Sequence, residues 1–114
     1  MLPWSCCRLY GGGCFMVSDK LRDPQVDDLF RAILALEDID ECYRFFEDLC
    51  TTAEIKAMAQ RLAVARLLRR GVTYTAIAEA TGASTATISR VKRFLNYGAD
   101  GYKLILERLE GNGK

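Results

Sequence analysis

The sequence of 114 residues contains no histidine, two prolines and one tryptophan. Without an imidazole the chain has neither a Ser–His nor a Cys–His nucleophile pair, and it lacks the commonest general base at neutral pH. The same absence excludes the mixed cysteine–histidine zinc sites. A small hydrolase or transferase would need paired carboxylates in a pocket, whereas the acidic residues cluster at helix starts and on exposed faces. We therefore predict that the chain is not an enzyme and needs no metal or cofactor.

The cysteines are not expected to form a disulfide framework either. They show no CxxC spacing, and their odd number argues against a set of disulfides. The five are Cys6, Cys7, Cys14, Cys42 and Cys50. No apolar run has the length of a membrane span, and the apolar start does not resemble a secretory leader. We expect a soluble, cytoplasmic protein that does not associate with a membrane.

Strand patterns are missing as well. Between residues 19 and 110 no segment alternates apolar and polar side chains, and both prolines, Pro3 and Pro24, lie outside helix interiors. Apolar residues instead recur at helical spacing behind capping residues, which predicts an all-α fold. The expected helices cover 24–36, 38–49 and about 51–70, two shorter segments within 73–95, and 99–110.

The domain boundary is predicted near residue 18. Residues 1–18 are rich in glycine, cysteine and aromatics, and we expect them to form a disordered or non-native extension, with Met16 as an alternative start. Residues 19–114 then form one helical domain. Its long central helix is apolar nearly all round between Leu62 and Leu68, interrupted by Arg66. This pattern predicts burial on more than one side and suggests a partner subunit.

Charge is divided sharply along the chain, although the net charge is only +1. Residues 19–54 carry eleven acidic and four basic side chains, a net charge of −7. Residues 55–95 carry eight basic side chains and one acidic, a net charge of +7. A cationic block of this kind is typical of a phosphate-binding surface.

The segment 73–95 has the pattern of a helix-turn-helix. Thr73 can cap a first helix, in which Ala78 is the small residue required at a close helix crossing. Gly82 can supply a left-handed turn, and Ser84 can cap a second helix. The apolar residues Ile77, Ile88 and Val91 are expected to face inward.

The outward side chains of the second helix are small, hydroxylated or cationic. Short side chains let a backbone approach base edges, and arginine can bind guanine O6 and N7 together. The candidate DNA contacts are Ser84, Thr85, Ala86, Ser89, Arg90, Lys92 and Arg93. We predict sequence-specific binding to the major groove of double-stranded DNA.

Two other interpretations remain open at this stage. The cations could form a solvated face that complements the helix dipole near its C-terminal end. Alternatively, the chain could be a helical protein-interaction module, whose acidic half binds a basic partner and whose helix-turn-helix is structural.

Two segments, AQRLAVARLLRRG and TGASTATISRVKRFLNYG, resemble the Trp repressor superfamily, and specifically its small YerC/YecD branch. The resemblance extends from about residue 24 to 110. It implies a six-helix subunit in an intertwined homodimer, with N-terminal helices that interlock and helix-turn-helix segments that bind successive major grooves. The repressor's recognition helix corresponds to Ser84 through Arg90, which adds Thr87 to the candidate DNA contacts.

The resemblance also bears on a small-molecule effector. Arg61 and Arg90 match two arginines of the repressor's tryptophan pocket. Val91 and Phe94 stand where the repressor has a glycine that leaves room for the indole and a serine that binds the amino group. We predict that their bulk fills the pocket, so that the chain acts as a transcriptional regulator, and specifically a repressor, without tryptophan as corepressor.

Overall fold

The computed structural model describes residues 22–112, which form six α-helices and no strand. The helices are α1 (Pro24–Leu34), α2 (Ile39–Leu49), α3 (Thr52–Arg69), α4 (Tyr74–Thr81), α5 (Thr85–Tyr97) and α6 (Gly101–Asn112). The predicted all-α class and the six helices are confirmed. The expectation of an extension over residues 1–18, together with Cys6, Cys7 and Cys14, lies outside the described residues. None of the helices in this part of the chain is both long and apolar enough to cross a membrane.

Side-chain caps determine where α1 and α2 begin. The Asp23 carboxylate accepts a hydrogen bond from the Val26 amide at 2.9 Å, and Asp38 accepts one from the Glu41 amide at 2.9 Å. A carboxylate at this position satisfies one of the amides that a helix start leaves without a partner. Asp38 and Glu41 have the three-residue spacing of a reciprocal capping box, but the Glu41 carboxylate accepts instead from the Glu37 amide, at 2.9 Å.

A reciprocal capping box does open α3, where Thr51 and Glu54 have the same spacing. The Glu54 amide donates to Thr51 Oγ1 at 3.1 Å, and the Thr51 amide donates to the Glu54 carboxylate at 2.8 Å. Val64 and Ala65 in the middle of the helix are completely buried. Leu62, Leu67 and Leu68 are partly buried against the same core. The expectation that this apolar stretch packs on more than one side is therefore met.

The chain divides into two compact units, one ending at Cys50 and one beginning at Thr51. In the described part of the first unit, α1 and α2 contain no buried residue. Large apolar side chains are exposed there, including Leu34 at 84%, Ile39 at 73% and Tyr43 at 72%. Burial of such side chains supplies most of the free energy that stabilises a helix pair. The described residues of this unit leave these apolar side chains exposed.

The second unit has a continuous apolar core. α3 packs against α4, α5 and α6, and α5 packs against both α4 and α6. The buried side chains of this core are Val64, Ala65, Ile77, Ala83, Ile88, Val91 and Leu106. Since every helix from α3 to α6 contributes to it, the core holds α4 and α5 in one orientation.

Candidate nucleic-acid interface

The connection between α4 and α5 is built around one glycine. Thr73 Oγ1 accepts a hydrogen bond from the Ala76 amide at 3.3 Å at the start of α4. α4 ends at Gly82, whose φ of 75° and ψ of 7° lie in the left-handed region, where its amide donates to the Ala78 carbonyl. Glycine reaches this region without the steric cost of a side chain. The predicted cap at Thr73 and the predicted left-handed turn at Gly82 are both confirmed.

Hydrogen bonds from side chains hold this turn in place. The Thr81 hydroxyl donates to the Ile77 carbonyl at 2.8 Å and accepts from the Ala83 amide at 3.2 Å. Gln60 on α3 donates from Nε2 to the Thr81 carbonyl at 3.2 Å. Sequence reasoning missed Gln60 and Thr81, because this contact joins residues that are 21 positions apart and no local pattern indicates it.

The start of α5 is capped by Ser84, as predicted. Its Oγ accepts from the Thr87 amide and donates to the Thr87 hydroxyl, each at 3.2 Å. The Thr87 side chain is partly buried, whereas Ser84, Thr85 and Ala86 are exposed. Two of the candidate contact residues therefore bind each other, and the small side chains beside them remain open to solvent.

The two sides of α5 differ as the predicted pattern requires. Ile88, Val91 and Leu95 are buried. Ser89, Arg90 and Arg93 are exposed, as is Lys92. The two arginines lie three positions apart, which places them about 60° from one another around the helix axis. Within residues 22–112 neither guanidinium takes part in an ion pair, so both charges are available to a ligand.

Lys92 occupies a different side of α5 from the two arginines. Its Nζ lies 5.7 Å from the centre of the Tyr74 ring, at the beginning of α4. An ammonium group within about 6 Å of an aromatic ring face is attracted by the ring's quadrupole. The structure thus brings Lys92 together with Tyr74, a residue that the sequence analysis did not single out.

The four residues proposed for an effector pocket have different surroundings. Arg61 on α3 and Arg90 on α5 are exposed. Val91 is 2% exposed and belongs to the core, whereas Phe94 is 53% exposed. Val91 therefore fills space inside the subunit, and about half of Phe94 is available to contact another molecule. No three His, Cys, Asp or Glu side chains within residues 22–112 are grouped so that they could hold a metal ion.

Comparison with known protein families assigns the chain to one of them. A family model described as Trp repressor protein matches residues 24–110, which include all of α1 to α5 and most of α6. The chain belongs to the Trp repressor family. This family is a regulatory, DNA-binding one, and the resemblance noted in the sequence is confirmed.

Individual relatives agree with this assignment. The uncharacterized protein YerC of Bacillus subtilis (strain 168) is 61% identical over 95 residues, covering 83% of this chain and 91% of YerC. The crystal structure of a TrpR-like protein from Eubacterium eligens ATCC 27750 is 58% identical, with a TM-score of 0.80. That match covers 82% of this chain and 96% of the other. A Staphylococcus aureus protein of known crystal structure is 54% identical in sequence, with a TM-score of 0.78. That match covers 81% of this chain and 92% of the Staphylococcus aureus chain.

Proposed function

We propose that this member of the Trp repressor family is a cytoplasmic transcriptional repressor that binds double-stranded DNA in a sequence-specific manner. In this proposal α4, the turn at Gly82 and α5 form a helix-turn-helix, and the start of α5 enters the major groove. The observation that carries the proposal is the exposed side of α5. It presents small and hydroxylated side chains together with two guanidiniums that form no ion pair within residues 22–112, on a helix whose opposite side is buried.

The side chains of α5 have distinct roles in this proposal. Thr85 and Ala86 are short enough to let the helix backbone approach base edges. Arg90 and Arg93 can each donate two parallel hydrogen bonds to a guanine, which is the commonest specific contact to DNA. Ser89 supplies a hydroxyl to a base or a phosphate, and the exposed Ser84 and its partner Thr87 stand at the helix start, where a phosphate is favoured.

Electrostatics support the same partner. Residues 55–95, with a net charge of +7, include most of α3, all of α4 and most of α5. Each phosphate that a cation neutralises releases a counterion, so affinity should fall steeply as the salt concentration rises.

A homodimer is part of the proposal, because the family generally dimerises. The exposed apolar side chains of α1 and α2, such as Leu34, Ile39 and Tyr43, would be buried by the interlocked helices of a second copy. A two-fold dimer presents two recognition helices separated by about 34 Å, one turn of DNA. The operator should then be approximately palindromic.

We further propose that tryptophan is not the corepressor. The buried Val91 already occupies space in the core, and Phe94 adds bulk at the proposed effector position where the repressor has a serine. Arg61 and Arg90 are then free of a carboxylate ligand, and Arg90 is available to DNA.

Selection of bound duplexes from a random pool, followed by measurement of affinity over a series of salt concentrations, tests this function. We expect Arg90→Ala and Arg93→Ala each to weaken binding by about 1–3 kcal/mol and to relax the preference at one base position. Arg108→Ala, on an exposed position of α6, is the matched control and should leave affinity for the selected site largely unchanged. If the wild-type chain bound no duplex, or bound with no dependence on salt, the protein-interaction hypothesis would be favoured instead.

A further inference from the structure

We propose that Tyr74 is a positioning residue that holds Lys92 for contact with a DNA phosphate beside the major groove. This inference rests on the proposed DNA-binding function and adds to it a second type of contact. The juxtaposition that carries it is the Lys92 ammonium, 5.7 Å from the centre of the Tyr74 ring.

The Tyr74 ring is a fixed platform. Tyr74 is the first residue of α4, is half-buried, and packs against the core formed by residues such as Ile77 and Ile88. A ring that is packed on one side and open on another has few rotamers available. Lys92 is itself exposed on α5, so the contact joins the two helices at the surface.

The location of Lys92 around α5 separates it from the base-reading residues. Lys92 lies one turn after the buried Ile88, and about 130° around the helix from the direction midway between Arg90 and Arg93. When those arginines face the floor of a groove, Lys92 faces the flank on the side of α4. The flanks of a groove are lined by phosphates, which fix the register of a protein on DNA without reporting sequence.

No carboxylate in the described part of the chain neutralises the charge of Lys92. No ion pair within residues 22–112 involves its ammonium group. A free lysine side chain has many rotamers, and immobilising one at an interface costs conformational entropy. Because the Tyr74 ring already restricts the side chain, less entropy is lost when a phosphate binds.

A double-mutant cycle on the full-length protein tests this inference. Affinity for the selected duplex is measured as a function of salt for the wild type, Lys92→Met, Tyr74→Leu, Tyr74→Phe and the Tyr74→Leu/Lys92→Met double variant. Lys92→Met should weaken binding about fivefold per subunit at 0.15 M salt and lower the salt slope by about 0.9 per subunit. It should weaken binding to selected and unrelated duplexes equally.

The Tyr74 variants separate positioning from simple packing. Tyr74→Leu should weaken binding by about two- to fivefold, no more than Lys92→Met does, because it releases the rotamers of one long side chain; it should cost nothing further in the Lys92→Met background. Tyr74→Phe keeps the aromatic face and should retain the DNA affinity of the wild type. Lys103→Met, which removes an exposed lysine of α6, is the matched control for loss of charge. If Tyr74→Leu failed to fold, Lys92→Met, a substitution at an exposed position, would still test the phosphate contact.

The outcomes distinguish this inference from the proposed function. An unchanged salt slope for Lys92→Met, while Arg93→Ala loses affinity as expected, would overturn the phosphate contact and leave the DNA-binding function standing. If Tyr74→Leu lowered DNA affinity equally in the wild-type and the Lys92→Met backgrounds, Tyr74 would not act through Lys92. Absence of salt-dependent binding by the wild type would overturn both proposals.

Discussion

Replacement of Gly82 by alanine tests the turn on which the interface depends. The residue has a φ of 75°, in a region where the Cβ of an L-residue crowds a carbonyl oxygen at a cost of about 1–2 kcal/mol. An added Cβ would meet only Gln60 Nε2, at 4.0 Å, which is an ordinary contact distance. The cost therefore comes from the left-handed backbone of residue 82 itself and not from a clash with neighbouring side chains. We expect Gly82→Ala to lower the free energy of unfolding by about 1–2 kcal/mol.

Equilibrium unfolding in urea, followed by circular dichroism, measures this change. All variants are compared at one protein concentration, because association of subunits would shift the apparent stability. Gly101→Ala is the matched control: no atom lies within 4 Å of the added Cβ, and Gly101 is not among the positive-φ glycines. It should be neutral or stabilising by up to about 1 kcal/mol. Equal losses in both variants would refute the argument from the left-handed backbone.

Three further predictions concern the core, the cap of α5 and the effector. Ile88→Ala empties a completely buried position and should reduce the free energy of unfolding by about 2–5 kcal/mol in urea titrations, far more than Leu104→Ala at a position that is 52% exposed. Ser84→Ala removes the cap of α5 and should cost about 1 kcal/mol by the same measurement, whereas Ser84→Asp should retain most of the stability. Isothermal titration calorimetry should detect no saturable binding of tryptophan, and micromolar binding would contradict the roles of Val91 and Phe94.

Contacts within one turn of helix were predictable from the sequence. The caps at Asp23, Thr51 and Ser84 and the left-handed glycine at Gly82 each join groups no more than four residues apart. Their geometry follows from side-chain chemistry and backbone sterics and does not depend on how the rest of the chain packs. The same is true of the amphipathic pattern of α5, whose buried and exposed sides follow from helical periodicity. Even local reasoning has a limit, since the spacing of Asp38 and Glu41 fits a capping box but the Glu41 carboxylate bonds to the Glu37 amide.

The sequence alone therefore determined the order of the helices, their boundaries to within two residues, and the side of α5 that faces outward. Only the tertiary structure decided which distant groups support that side: Gln60 against the turn and Tyr74 against Lys92. It also decided that Phe94 stays half exposed. The physical reason is that such contacts depend on how α3, α4 and α5 pack together, and packing is a property of the assembled core rather than of any one segment.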